Sequence, residues 1–291
     1  MKLRVVALAA AVMLAQPGGY QGEVDKARAA RIAELRADDG WLTVSGLFWL
    51  KPGRNVAGSS GSSDLVLPAK APATLGVFEL ANGAVTFTAA DGVTVSSAGA
   101  PVRTQTLDSR GGDRTALASG DLRLFLIRRE DRFGIRMRDL KSRMRQEFEG
   151  LTYFPTQPRY RVAATFTAHP QPRTIPIPNV LGQTPEMVSP GVVTFTIDGK
   201  PQRLEPVYET DEKKDLFFIF SDLTKQDTTY PAGRFLHTPL PKDGKVTIDF
   251  NLAYNPPCAF TDFATCPLPP KQNQMAVRIE AGEKAYHGVT K

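Results

Sequence analysis

The chain has 291 residues, 42% hydrophobic and 23% charged, with 24 glycines, 23 prolines and a net charge of +6. These are ordinary globular values, with room for a core in one large or two modest domains and with many turns instead of long helices. Beyond Ala15 no stretch is long and apolar enough to span a membrane as a helix, so no span is expected in the mature chain.

The first residues read as an export signal. Lys2 and Arg4 precede an uncharged apolar run over 5–15, well short of a membrane span. Residues 1–19 are the expected signal peptide, and the expected location is periplasmic or secreted. Residues 20–39 follow as an N-terminal helix, in which Val24, Ala27, Ile32 and Leu35 keep a rough helical period and Gly40 supplies a stop.

From Trp41 onward the pattern changes to short strands divided by turn residues. The run 41–50 is apolar and interrupted by Gly46, as in a bent or bulged strand. Strands over 75–80 and 85–88 flank Asn82-Gly83, a hairpin signal. Strands over 122–127 and 133–138 flank a charged turn. In the second, Phe133, Ile135 and Met137 alternate with Arg136 and Arg138, so one face is buried and one basic. Further strands are expected over 162–167, 192–197, 204–208, 216–220 and 246–250, with a turn at Asp198-Gly199. Short strands without intervening helices specify an all-β chain. The expected organisation is a β-sandwich-like module over 40–148 packed on a second β-module over 149–291.

Charge is concentrated. Arg123 to Arg145 holds nine cations against three acids, which equals the whole net charge. Such a segment is either an anion-facing surface or a solvated sheet face. No aromatic residues are interleaved as base-stacking partners, so nucleic acid is not an expected partner. Candidate partners are a small anionic molecule or an envelope glycan.

The segment 249–273 is the most site-like. It holds both cysteines, five prolines, and Asp249, Asn251, Tyr254 and Asn255 within seven positions. Proline fixes φ and restrains its predecessor, so the segment is rigid without being regular. Cys258 and Cys266 enclose seven residues. In an oxidising compartment they form a disulfide, which contributes about 2.5 kcal/mol on a chain-entropy model. The alternatives are a pair of reduced thiols, or Cys258 as a nucleophile with His237 or His287 as its base. Arg234 is placed to pair with Asp249 or to grip an anion in bidentate fashion. Tyr230 lies beside it in sequence, and Glu283 is a further member of the cluster or a surface charge. The three histidines share no ligand spacing and no HExxH, CxxC, P-loop or G-x-S-x-G motif occurs, so no metal or cofactor is expected. Three readings stay open: a binding module for a small anionic or sugar-like ligand, a hydrolase using Asp249, Glu283 or Cys258, and a structural envelope protein.

Over nearly the whole chain after the signal, the sequence resembles the bacterial and archaeal family known as domain of unknown function sixteen-eighty-four. The motifs are Gly40-Trp-Leu with Gly46-Leu-Phe-Trp-Leu50, Pro52-Gly-Arg-Asn55 through Pro68, and Phe148-Glu-Gly-Leu-Thr-Tyr-Phe-Pro155. Thr229-Tyr-Pro-Ala-Gly-Arg-Phe-Leu236, Asp249-Phe-Asn251 through Asn273, and Ala281-Gly-Glu-Lys284 complete the set. The family has no established activity. Leu252 stands where it usually has a basic residue, so an anion contact there would be absent. More weakly, Asn55 to Ser59 and Ser63 to Pro68 are similar to the opening strands of forkhead-associated β-sandwiches, which bind phosphothreonine. Ser59 replaces their arginine and no Ser-x-x-His follows, so the resemblance implies the sandwich and lacks the phosphopeptide contacts.

Overall fold

The structure is a computed structural model describing residues 17–110 and 115–289; the apolar run of the expected export signal lies outside them. Helix α1 (Pro17–Arg36) starts earlier and ends sooner than its periodicity suggests. Val24 and Leu35 are fully buried, with Ala27, Arg28, Arg31 and Ile32 half-buried along the same stripe. Gly40 then passes close to the helix end: a Cβ there would lie 2.3 Å from the carbonyl oxygens of Glu34 and Leu35. Residues Trp41–Thr43 form a single 3-10 turn instead of the expected strand.

The chain is mostly β from there. Strands β1 (Val44–Trp49), β2 (Gly53–Gly58), β3 (Leu65–Val66), β4 (Gly76–Ala81) and β5 (Ala84–Ala89) come first. Then follow β6 (Ser96–Ser97), β7 (Ala100–Pro101), β8 (Thr104–Leu107), β9 (Leu117–Ser119), β10 (Leu122–Arg129) and β11 (Arg132–Asp139). They make two sheets, ordered β1-β11-β10-β9-β6-β7 and β3-β2-β4-β5-β8. The register of β1 on β11 shifts between Val44 and Gly46, which is the expected bulge. The β4–β5 turn places Asn82 and Gly83 at φ 53° and 73°, as a tight hairpin requires. Phe78 and Phe87 from one sheet pack with Leu124, Ile135 and Met137 from the other, so this half is a β-sandwich.

After a short helix α2 (Arg143–Gln146), β12 (Arg161–Pro176) and β13 (Glu186–Ile197) form a hairpin longer than expected. Next come β14 (Lys200–Leu204), β15 (Asp215–Phe220), β16 (Arg234–Pro239) and β17 (Lys245–Asp249). The strand expected over 204–208 breaks at Pro206, leaving only an isolated bridge at Val207. The sheets here are ordered β14-β13-β12-β17 and β15-β16. Strand β15 reads Leu-Phe-Phe-Ile-Phe and is apolar on both faces. Leu216, Phe218 and Phe220 enter a core with Phe195, Ile248 and Phe250, while Phe217 and Ile219 face a second cluster with Phe235 and Cys266.

Of the arginines of β11, Arg132 is exposed, but Arg136 and Arg138 lie inside and not on an anion-facing or solvated surface. Arg136 and Arg138 are 6% and 8% exposed. Arg136 lies over the Trp41 ring and Arg138 over Phe125, and Arg138 donates to the Gly40 carbonyl at 2.7 Å. A planar guanidinium stacks on rings and feeds carbonyls, so the alternation that looked basic is a junction face against the 40–43 turn. Among the described residues no helix is long and apolar enough to cross a membrane.

Candidate functional site

A cleft of about 830 Å³ opens between α1, the outer face of β15–β16, the loop after β17 and the tip of β10. Its floor follows from strand alternation. Asp215 and Phe217 share one face of β15, and the antiparallel register sets His237 of β16 opposite Phe217. Tyr254 extends this sheet, exchanging backbone hydrogen bonds of 2.9 Å with Phe235. The His237 ring stacks between Phe217, at 4.7 Å, and Tyr254, at 6.0 Å. Ala27, Ala30, Arg31 and Glu34 of α1 form the opposite wall.

Two polar features face this space. At one end His237 stands between carboxylates, with Nδ1 3.1 Å from Asp215 Oδ2 and Nε2 3.7 Å from Glu209 Oε2. A proton on Nδ1 is held by Asp215, leaving Nε2 toward Glu209 and the cleft. Although its side chain is 53% exposed, desolvation by the surrounding chain holds the Glu209 carboxyl above its ordinary range; His237 opposes that rise, while Asp215 and Glu34 add to it. The other feature is Arg129, the last residue of β10. Its Nε donates to Thr265 Oγ1 at 2.8 Å and one Nη to the Arg128 carbonyl at 2.9 Å. Among the described residues it has no carboxylate partner, and burial pulls its pKa down. Among the described residues no group of three or more His, Cys, Asp or Glu gathers as a metal site.

Most of the polar residues of the 249–283 region serve instead to hold α1 in place. The Tyr20 hydroxyl lies 2.8 Å from Asp249 Oδ2 and receives a bond from Asn251 Nδ2 at 2.9 Å. Asn251 also bridges the Gln157 amide and carbonyl, both at 2.9 Å. Glu283 is 1% exposed, accepts the Asn255 amide at 2.8 Å and pairs with Arg31 at 3.4 Å. Arg31 also reaches the Asn255 carbonyl and lies 4.6 Å from the Tyr254 ring centroid. Asn255 itself is buried, with its side-chain amide on the Lys284 carbonyl. Of this group Asn251, Tyr254 and Glu283 border the cleft.

Two expectations change with the geometry. Arg234 does not pair with Asp249 and does not line the cleft. It is 1% exposed, binds Asp222 Oδ2 at 2.7 Å, and donates to the carbonyls of Ile279 and Ala281. Asp222 sits at the end of β15 beside the start of β16, whereas Asp249 is engaged by Tyr20. Tyr230 does not line the cleft; its hydroxyl donates to the Cys258 carbonyl at 3.0 Å, and burial raises its pKa to about 12. Cys258 and Cys266 are free thiols in direct contact. The Cys258 amide lies 3.1 Å from Cys266 Sγ, and a hydrogen bond from Cys266 lowers the Cys258 thiol pKa. Elsewhere, His169 Nε2 contacts Glu205 at 3.0 Å and Ser189 at 3.4 Å. Both contacts fall on one ring nitrogen, so no Ser–His–Glu relay exists there.

Sequence reasoning did not select Glu209 and Asp215, included Arg129 only as one cation of the anion-facing segment 123–145, and treated His237 only as a base for Cys258. The available signal was alternation: Asp215 and His237 each head an apolar strand face, but their register is a tertiary fact.

No curated protein matches the chain. Among solved structures, an uncharacterised protein of Haloarcula marismortui, determined by NMR in solution, is 35% identical over 48% of this chain and 79% of its own, with a TM-score of 0.41. The FHA domain of FhaA, crystallised with the intracellular domain of Rv3910, is 14% identical over 31% of this chain and 96% of its own, with a TM-score of 0.23. That score bears on neither fold nor ligand. Residues 146–284, which include the α1 dock and most of the cleft, match the family described as "Protein of unknown function (DUF1684)", and the chain belongs to that family.

Proposed function

We propose that the protein is a binding module for a small anionic or sugar-like ligand held in the cleft beneath α1. The observation that carries this is Arg129, a half-buried guanidinium without an ion-pair partner among the described residues, on a concave site walled by Trp41, Phe235 and Tyr254. Ligand sites are typically clefts of this size with mainly apolar walls and a few aimed polar groups. A half-desolvated guanidinium gains most from a carboxylate or phosphate. Aromatic faces beside carboxylates suit a hydroxylated ring. Titrating uronic and aldonic acids against their neutral sugars by ligand-observed NMR tests the reading. The acids bind more tightly, and Arg129→Gln removes the difference, a loss of about tenfold or more. Equal binding of acids and neutral sugars overturns the Arg129 assignment.

One observation favours hydrolysis as a second reading: Asp215 orients His237 with Nε2 toward the cleft, as a general base requires. Turnover of an ester, glycoside or amide panel that disappears in His237→Gln would establish it.

We further propose that residues 1–19 direct export and that Cys258 and Cys266 join once the chain reaches an oxidising compartment. Their direct contact supports this, since oxidation then demands little movement of the chain. Intact mass after export and alkylation without reductant decides it. Two alkylated thiols on an exported chain would refute the pairing.

A further inference from the structure

We infer that the cleft ligand is an ampholyte, carrying an anionic group for Arg129 and an ammonium group for the carboxylates around His237. This rests on the cleft being the ligand site. The inference comes from which charges already have partners. Arg28 donates to the Phe154 carbonyl at 2.9 Å and lies over the Tyr153 ring. Arg31 serves Glu283, the Asn255 carbonyl and Glu34. Glu283 is thereby satisfied. What remains, among the described residues, is Arg129 without a carboxylate, and Glu209 and Asp215 sharing the single ring of His237. Glu34 of α1 adds negative charge to the same wall, its partner being the shared Arg31.

A neutral sugar would supply hydrogen bonds at the His237 end without neutralising it. Glu209, Asp215 and Glu34 are 53%, 41% and 65% exposed in the open cleft, and a neutral ligand that covered them would strip their water with only one imidazole to offset it. An ammonium group brings both donors and the compensating charge. A simple anion would satisfy Arg129 but add to the negative charge already in the cleft. Only a molecule charged at both ends matches both.

The test uses the full chain and a series of ω-amino acids from β-alanine to aminooctanoate, each compared with its amine-free acid and its acid-free amine by ligand-observed NMR. At some chain length the ampholyte binds about tenfold more tightly than either single-ended partner. Glu209→Gln, at an exposed loop position, brings it down to the level of the acid. Arg129→Gln brings it down to the level of the amine. If no ω-amino acid exceeds its amine-free acid while uronic or aldonic acids bind, this inference falls and the cleft remains a ligand site. If nothing in either series binds, both readings fall.

Discussion

A buried guanidinium must have its donors and its charge met, and Arg234 meets them almost entirely within the fold. Asp222 supplies the counter-charge, and the carbonyls of Ile279 and Ala281 take further donors from the 279–284 segment, so one side chain ties β16 to the end of the chain. Removing one member of such a pair leaves the other charged and buried. Arg234→Ala is therefore expected to cost about 3–5 kcal/mol in urea unfolding, and a loss below about 1 kcal/mol would contradict the bracing role. Glu209 behaves in the opposite way. Its folded pKa is raised, so its penalty is absent below the ordinary glutamate range, grows as pH climbs toward the folded value, and is constant above it. Because its side chain is 53% exposed, solvent screening keeps the effect small: Glu209→Gln should melt slightly higher than wild type at neutral pH, with the gap closing under acid. A gap independent of pH between about 4 and 8 would mean the effect does not arise from that carboxyl. These two residues also mark how far the sequence could be read. That Arg234 mattered was legible from its motif. Its partner was not, because Asp222 and Asp249 are equally plausible until the register of β15 on β16 selects one.

At the level of elements, α1 is docked through polar contacts more than apolar ones. Only Val24 and Leu35 are fully buried along its length, too little to fix a helix of 20 residues by hydrophobic burial alone. Tyr20 on Asp249, Arg28 on Phe154, Arg31 on Glu283 and Arg36 on Phe148 complete the attachment. Arg31→Ala leaves Glu283 buried without its cation and should cost about 3–5 kcal/mol. Tyr20→Phe should cost about 1 kcal/mol. Both should speed hydrogen exchange in residues 20–36 before they affect the strands. Exchange that rises equally throughout would show that α1 is not a separately opening element. The helix itself was legible from its stripe and from Gly40. The strands of the sandwich were legible from alternation and from Asn82-Gly83. The polar dock was not, since a loop dense in Asp, Asn and Glu reads as a ligand site whether its partner is a small molecule or a helix of the same chain. Arg136 and Arg138 misled for a related reason: alternation separates two faces but does not say which face meets water.

For the whole molecule, the question is whether the two halves unfold together. The sandwich core and the core around Phe218 and Phe250 share no residue. Two smaller clusters lie between them: Trp41 joins both, and Leu42, Met144 and Phe148 pack with Ala259 and Phe260. Arg138 fixes the 40–43 turn from beneath, through the Gly40 carbonyl and Thr43 Oγ1. Interfaces between halves of one chain transmit unfolding only when they are substantial and well packed. A junction of buried aromatics and capped arginines meets that condition. The wild-type chain should therefore unfold in urea in one transition, coincident by far-UV circular dichroism and tryptophan fluorescence. Trp41 reports the clusters between the halves and Trp49 strand β1 of the sandwich, so coincidence of these signals with circular dichroism is informative. Arg138→Ala removes the support of the turn without entering either large core. It should separate the signals into two transitions, with the fluorescence change at Trp41 leading. Two transitions already in the wild type would mean the junction is mere contact, and a cleft that draws Arg129 from one half and His237 from the other would then open and close with the relative motion of the halves.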